Sequence, residues 1–203
     1  MKNALLLFAL SFVLHTSSAQ TRKHDWLVGG TALVHFKTIR TLQTFNAVTD
    51  VKIRYTNLNI SPDAGYFLTD RFVAGVRLLY ANHNINVLSG TELNFGGSKD
   101  YGAGPFVRYY FLPSTKRLNI ILDGSYQFAT QRSTAYFYTD NRPSGTLVTN
   151  HGGYNASIMG GPVFNVNSKL GVEPLAAYTN FKYSDLTGKA NRLMAGLGVH
   201  VYL

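Results

Sequence analysis

The chain has 203 residues, enough for one domain plus a targeting segment, with no cysteine and a formal net charge of +9. The absence of cysteine excludes a disulfide-stapled exported fold, so stability must come from a core or from a sheet closed on itself. The cations are scattered (Arg22, Lys23, Lys52, Arg54, Lys99, Arg132, Arg142, Lys182, Lys189), with no basic run or basic helix. That placement speaks against nucleic acid and suits anionic lipid head groups.

Residues 1–19 read as a secretory signal peptide: Lys2 at the head, an apolar run from Ala4 to Leu14, and Ser17-Ser18-Ala19 before Gln20. Residues 20–203 then form a single domain with no apolar run long enough for a membrane helix. Period-2 alternation predicts the first strand from about Trp26 to Lys37, followed by a polar connection. The segment Asn57–Tyr80 reads as two strands around a tight turn at Thr69-Asp70-Arg71. Leu58, Ile60, Pro62, Ala64, Tyr66 and Leu68 share one apolar face of the first of these, and Phe72, Ala74, Val76, Leu78 and Tyr80 that of the second.

After an Asn-, Gly- and Ser-rich connection (Ala81–Asp100), the fourth strand runs from Tyr101 to Phe111, and a short turn at Pro113–Lys116 leads into the fifth from Leu118 to Phe128. A long connection, Thr130–Asn150, precedes the sixth strand, Tyr154–Phe164. A turn at Asn165–Lys169 leads to the seventh, Leu170–Tyr178, and the last runs from Leu193 to Leu203. Each apolar stripe is roughly the 9–11 residues that a tilted strand needs to cross a bilayer.

Short and long connections alternate, which in an up-and-down barrel puts the short turns on one rim and the long loops on the other. Aromatic residues end the stripes at both rims, as interfacial girdles do. Trp26, Tyr66, Phe72, Phe111 and Phe164 mark the turn side; Phe36, Tyr80, Tyr101, Phe128, Tyr154 and Tyr178 mark the loop side. These patterns predict an all-β fold, an eight-stranded antiparallel up-and-down transmembrane β-barrel. Pro62, Pro105, Pro162 and Pro174 fall inside strands, where each should mark a bulge.

The segments SPDAGYFLTDRFVAGVRLLY, GPFVRYYF and GLGVHVYL resemble the small outer-membrane β-barrel proteins of Gram-negative bacteria, particularly the Bacteroidetes type, over about Trp26 to Leu203. The resemblance implies residence in the cell outer membrane among its lipids, and a last strand read by the barrel-insertion machinery. In that family the last strand usually ends in an aromatic residue, whereas this chain ends in Leu203.

The inward face carries a few charges, which a narrow lumen requires to be paired or hydrated. Folding each hairpin about its turn sets Asp63 opposite Arg77, Arg108 opposite Asp123 and Glu173 opposite His200, a polar belt at one depth near the turn-side rim. The belt suits a plug of ion pairs filling the lumen, with an ion path as the alternative reading. No enzyme is expected: His35, His83 and His151 lie near the loop rim with Ser133 and Ser157 nearby, but no spacing or carboxylate partner makes a triad. No cofactor or metal is expected either, since no Cys/His cluster or nucleotide motif is present. The expected role is structural and loop-presenting. Tyr136, Phe137 and Tyr138 on the longest loop are candidates to dock an extracellular ligand. Two alternatives stay open. One is a narrow porin or small-hydrophobe conduit, for which Gly75, Gly104, Gly196 and Gly198 leave lumen space. The other is a soluble lipocalin-like barrel, because inverting the faces leaves the alternation unchanged.

Overall fold

The computed structural model describes residues 23–45, 47–89, 97–113, 116–139, 142–183 and 189–203, so the expected leader lies outside the described residues. Eight strands follow in order: β1 (Trp26–Phe45), β2 (Ala47–Thr69), β3 (Phe72–Ser89), β4 (Ser98–Tyr110), β5 (Leu118–Thr139), β6 (Arg142–Asn165), β7 (Leu170–Tyr183) and β8 (Lys189–Tyr202). Each pairs antiparallel with the next, and β1 pairs with β8 to close the barrel. The closure also ties the two ends of the sheet, since Trp26 and Leu203 exchange backbone hydrogen bonds at 2.8 and 2.9 Å.

The alternation in sequence becomes an inside and an outside. Leu193, Phe128 and Ile158 are 71%, 69% and 62% exposed on the outer wall, whereas Arg77, Glu173 and His200 on the opposite parity are 0% exposed. A lipocalin-like inversion would need the apolar stripes inside; here they face out.

Most strands outrun their apolar stripes. The segments expected as long connections after strands one and five are largely ladder: Phe45 pairs with Ala47, and Thr139 with Arg142. Tyr136, Phe137 and Tyr138 therefore belong to β5 rather than to a loop. An antiparallel hairpin satisfies its own backbone groups, so it can climb past the apolar band without lipid-facing side chains to mark it.

The prolines do not make bulges. Pro62 pairs with Gly30, Pro105 with Val76, Pro162 with Ile120 and Pro174 with Leu197, while the opposite seam of each skips rungs. The register is the same on both sides of each gap: Ile60↔Tyr80 and Asp63↔Arg77, Ala103↔Phe128 and Phe106↔Ser125, Gly160↔Ala176 and Phe164↔Val172. A residue's N–H points toward one neighbour only, so a proline opens one seam without inserting a residue. Register shifts fall instead at Lys52/Ile53, Phe67/Thr69 and Phe137/Tyr138. The second of these lies beside the Asp70-Arg71 turn, where Thr69 Oγ1 accepts the backbone N–H of Phe72 at 3.1 Å.

Candidate functional site: the lumen network

The lumen is layered. At the turn-side end the inward positions are apolar: Leu27, Phe67, Val73, Ile121 and Val163 are buried beside Tyr110 and Tyr202. Phe67 packs against both tyrosines, with ring centroids 5.7 and 6.2 Å away. This floor went unread in the sequence because each strand contributes only one such residue to it.

Above the floor, the six residues expected to form a belt close into a ring of ion pairs. Arg77 donates from Nε and Nη2 to Asp63 Oδ2 at 3.0 and 2.7 Å, and from Nη1 and Nη2 to the two oxygens of Asp123 at 2.6 and 2.8 Å. Arg108 donates to Asp123 Oδ2 at 2.9 Å and to Glu173 Oε1 at 3.0 Å. His200 completes the circuit, with Nδ1 3.2 Å from Glu173 Oε1 and Nε2 2.9 Å from Asp63 Oδ1. All six side chains are 0% exposed. Three carboxylates face two guanidiniums and one imidazole. Charges taken this far from water persist only when each meets a partner in good geometry.

Two of the pairs lie opposite each other in register, Asp63 with Arg77 and Arg108 with Asp123. The third does not: Glu173 faces Gly198, and His200 faces Gly171, a slip of one two-residue step. The β7–β8 ladder continues to Lys182↔Lys189, so its turn is centred earlier than the sequence suggested. Gly198 accommodates the displaced carboxylate, because a Cβ there would lie 2.9 Å from Glu173 Oε2. Other contacts lie beyond hairpin register: Arg77 to Asp123 skips β4, His200 to Asp63 skips β1, and Arg108 to Glu173 crosses the lumen from β4 to β7. The β4 residue opposite Arg77 is Gly104, which puts no side chain in the path.

Gly75 is also occupied space rather than open lumen. It pairs with Gly65 across β2 and β3, and the Phe106 ring lies over both: a Cβ at Gly65 or Gly75 would come within 2.9 or 2.7 Å of it. The Arg77 guanidinium stacks over the same ring, 4.5 Å from the Phe106 centroid. A glycine dent, an aromatic ring and a cation thus hold one arm of the belt in place.

Toward the loops the lumen turns polar but mostly uncharged. Ser125 and Ser157 share a hydrogen bond at 2.7 Å, and Asn155 donates to Gln127 at 2.6 Å. At the mouth sits a second charged cluster that the sequence reading missed. His83 Nε2 lies 2.6 Å from Asp100 Oδ2, and its Nδ1 lies 2.7 Å from Asn57 Oδ1. Gln131 donates to Asp100 at 3.1 Å, and the Arg192 guanidinium stands 4.8 Å over the Phe181 ring. His83 does have a carboxylate partner, contrary to expectation. Asp100 follows a Gly- and Ser-rich stretch that reads as a connection, although it continues the inward parity of β4, as His83 continues that of Arg77 and Leu79. Neither serine completes a triad: Ser133 donates to Gln131 at 3.2 Å and Ser157 bonds Ser125, while the His35 ring bonds the Leu193 carbonyl.

The eleven girdle candidates all lie on the outward parity. On the turn side Trp26 meets Tyr66 edge-on at 5.3 Å and Phe111 meets Tyr109 at 5.2 Å. Phe72 pairs with Tyr109, and Phe164 with Leu118. On the loop side Tyr80 lies 5.5 Å from Tyr101, Phe128 lies 5.5 Å from Tyr126, and Tyr154 stacks on Tyr126 at 5.1 Å. Phe36 and Tyr178 stand on the outer wall at 67% and 50% exposure.

No family model matches the chain, and no curated protein matches it in sequence. Among solved structures it is similar to Neisserial surface protein A, with 14% identity over 87% of this chain and 96% of that one and a TM-score of 0.51. It is similar to the outer membrane protein OprG from Pseudomonas aeruginosa at 15% identity, over 93% and 99% of the two chains, also with a TM-score of 0.51. What is shared is the eight-stranded antiparallel barrel.

Proposed function

We propose that the chain is an integral outer-membrane β-barrel, exported behind a cleaved leader, that presents its extended hairpins outside the cell and does not conduct through its lumen. The observation that carries this reading is the ring of six fully buried, mutually paired ionisable side chains standing across the lumen above an apolar floor. Such a ring leaves an ion neither a free charge to bind nor a hydrated path. The membrane assignment is supported by the outer wall, an apolar band too large to leave in water and bounded by aromatic residues at both rims. Its partners are then outer-membrane lipids, the insertion machinery through the β8 strand, and an extracellular ligand at the β5–β6 arm. The role is non-enzymatic: His83 and Asp100 brace the mouth of the barrel rather than activate a nucleophile.

The test is single-channel recording of the folded chain in a planar bilayer beside a gel that resolves heat-modifiable barrel from unfolded chain. The expected outcome is a folded, inserted and silent protein. A steady unitary conductance would replace the sealed-lumen reading with a narrow porin. A chain that stays in the aqueous phase would remove the membrane assignment itself.

A further inference from the structure

On the outer wall just above the loop-side girdle is a concavity of about 480 Å³ lined by Asn82, Asn84, Lys99, Tyr101, Arg132 and Thr134. It belongs neither to the lumen nor to the apolar band. Lys99 and Arg132 stand directly opposite each other across β4 and β5, and Asn82 faces Lys99 from β3. Like charges set opposite on one sheet face repel, and this lining includes no carboxylate to relieve them. Most of the other carboxylates lie elsewhere: Asp63, Asp100, Asp123 and Glu173 are buried in the lumen, Asp25 and Asp70 stand at the turn-side rim, and Asp50 is on the β1–β2 arm opposite Leu42.

The arrangement recurs. The register also sets Arg40 opposite Lys52 and Lys182 opposite Lys189. Lys99 falls on the outward parity two residues from the girdle residue Tyr101. The Lys99–Arg132 pair is costly unless something anionic stands between its members.

We propose that the Lys99–Arg132 concavity binds the phosphate of a lipid head group in the outer leaflet. This rests on the membrane-spanning reading above. The phosphate oxygens take charge-assisted hydrogen bonds from the two cations, and Asn82, Asn84 and Thr134 supply neutral donors around them. A lipid is the fitting source because the site opens directly onto the outer wall. Tyr101 forms its lower edge in contact with Tyr80, and Leu78 and Phe128 continue below it as exposed apolar surface where acyl chains can lie.

The test is native mass spectrometry of the full chain folded in nonionic detergent, titrated with dioleoyl phosphatidic acid, dioleoyl glycerol or sodium phosphate. Phosphatidic acid should be retained and dioleoyl glycerol should not. The K99Q/R132Q variant, which removes a repulsive pair from an exposed face and so folds normally, should weaken retention about tenfold or more. K116Q/R117Q, which removes the same charge from the turn side, should leave it unchanged. An equal loss in both variants would reduce the effect to net charge and overturn the site. Displacement of the lipid by equimolar phosphate would overturn the lipid as its source. Folded barrel on the heat-modifiability gel with no lipid retained would sink this site alone, whereas a chain that never forms a barrel in detergent would sink the membrane reading with it.

Discussion

Arg77→Met should lower the unfolding free energy of the barrel by about 3–5 kcal/mol, the cost of stranding buried charge by removing its partner. Arg77 is the node of the ring: it alone carries four hydrogen bonds to two carboxylates, Asp63 and Asp123, neither of which reaches water. Methionine fills much of the same volume on Phe106 but leaves Asp63 with only His200 and Asp123 with only Arg108. The measurement is denaturant unfolding in lipid vesicles, followed by fluorescence of Trp26, the single tryptophan, which sits on the outer wall near the turn-side rim. A D63N/R77M/D123N variant should recover at least half of that loss, because the penalty lies in uncompensated charge rather than in a missing attraction. A neutral Arg77→Met would mean that the lumen is wet at this depth, and would argue for conduction as much as against the plug.

The second large effect is expected at Gly75→Val. A Cβ at this position would lie 2.2 Å from the Ala64 carbonyl oxygen, 2.5 Å from Gly65 Cα and 2.7 Å from the Phe106 ring. Two of these three atoms are backbone of β2, so no side-chain rotation relieves the overlap and the β2–β3 seam itself must part. Overpacking in a close-packed interior costs about 1–3 kcal/mol when side chains can shift, and more when backbone must. The variant should therefore lose the heat-modifiable band or unfold with a loss at the upper end of that range or beyond. Adding Phe106→Ala should restore little, since it clears only the third contact. Full recovery in that double variant would show that the ring alone set the limit.

How much of this could be read beforehand depended on what fixes register. Alternation located all eight strands, since a sheet with a lipid face and a lumen face must alternate. Asp63 and Arg77 could be set opposite each other because only Asp70 and Arg71 lie between their strands. Glu173 and His200 could not, because the medium-length connection between β7 and β8 hides where the hairpin folds. Asp100 was lost for a different reason: it follows a Gly- and Ser-rich stretch, and composition outweighed parity at the strand end. The Arg77–Asp123 and His200–Asp63 bonds depend on strand tilt around the closed barrel, which no single hairpin encodes. The seats of Phe106 and Glu173 on glycines were visible only as glycines.

The seam between β1 and β8 runs only from Trp26–Leu203 to Val34–Ala195, whereas β5 and β6 are laddered from Leu118↔Phe164 up to Thr139↔Arg142. The hairpins are local in sequence and can zip as soon as their strands exist, but this seam must bring together the two ends of the chain. The entropy of closing so long a loop is recovered by the shortest ladder in the sheet. Closure is therefore expected to be the last step of assembly, which pulsed hydrogen exchange during refolding would show as protection of the Leu27–Val34 amides after those of β5 and β6. Until it happens the edges of β1 and β8 are open templates for the strand of another chain, so the interval before closure is when the protein is most exposed to mispairing and most dependent on being held apart from its copies.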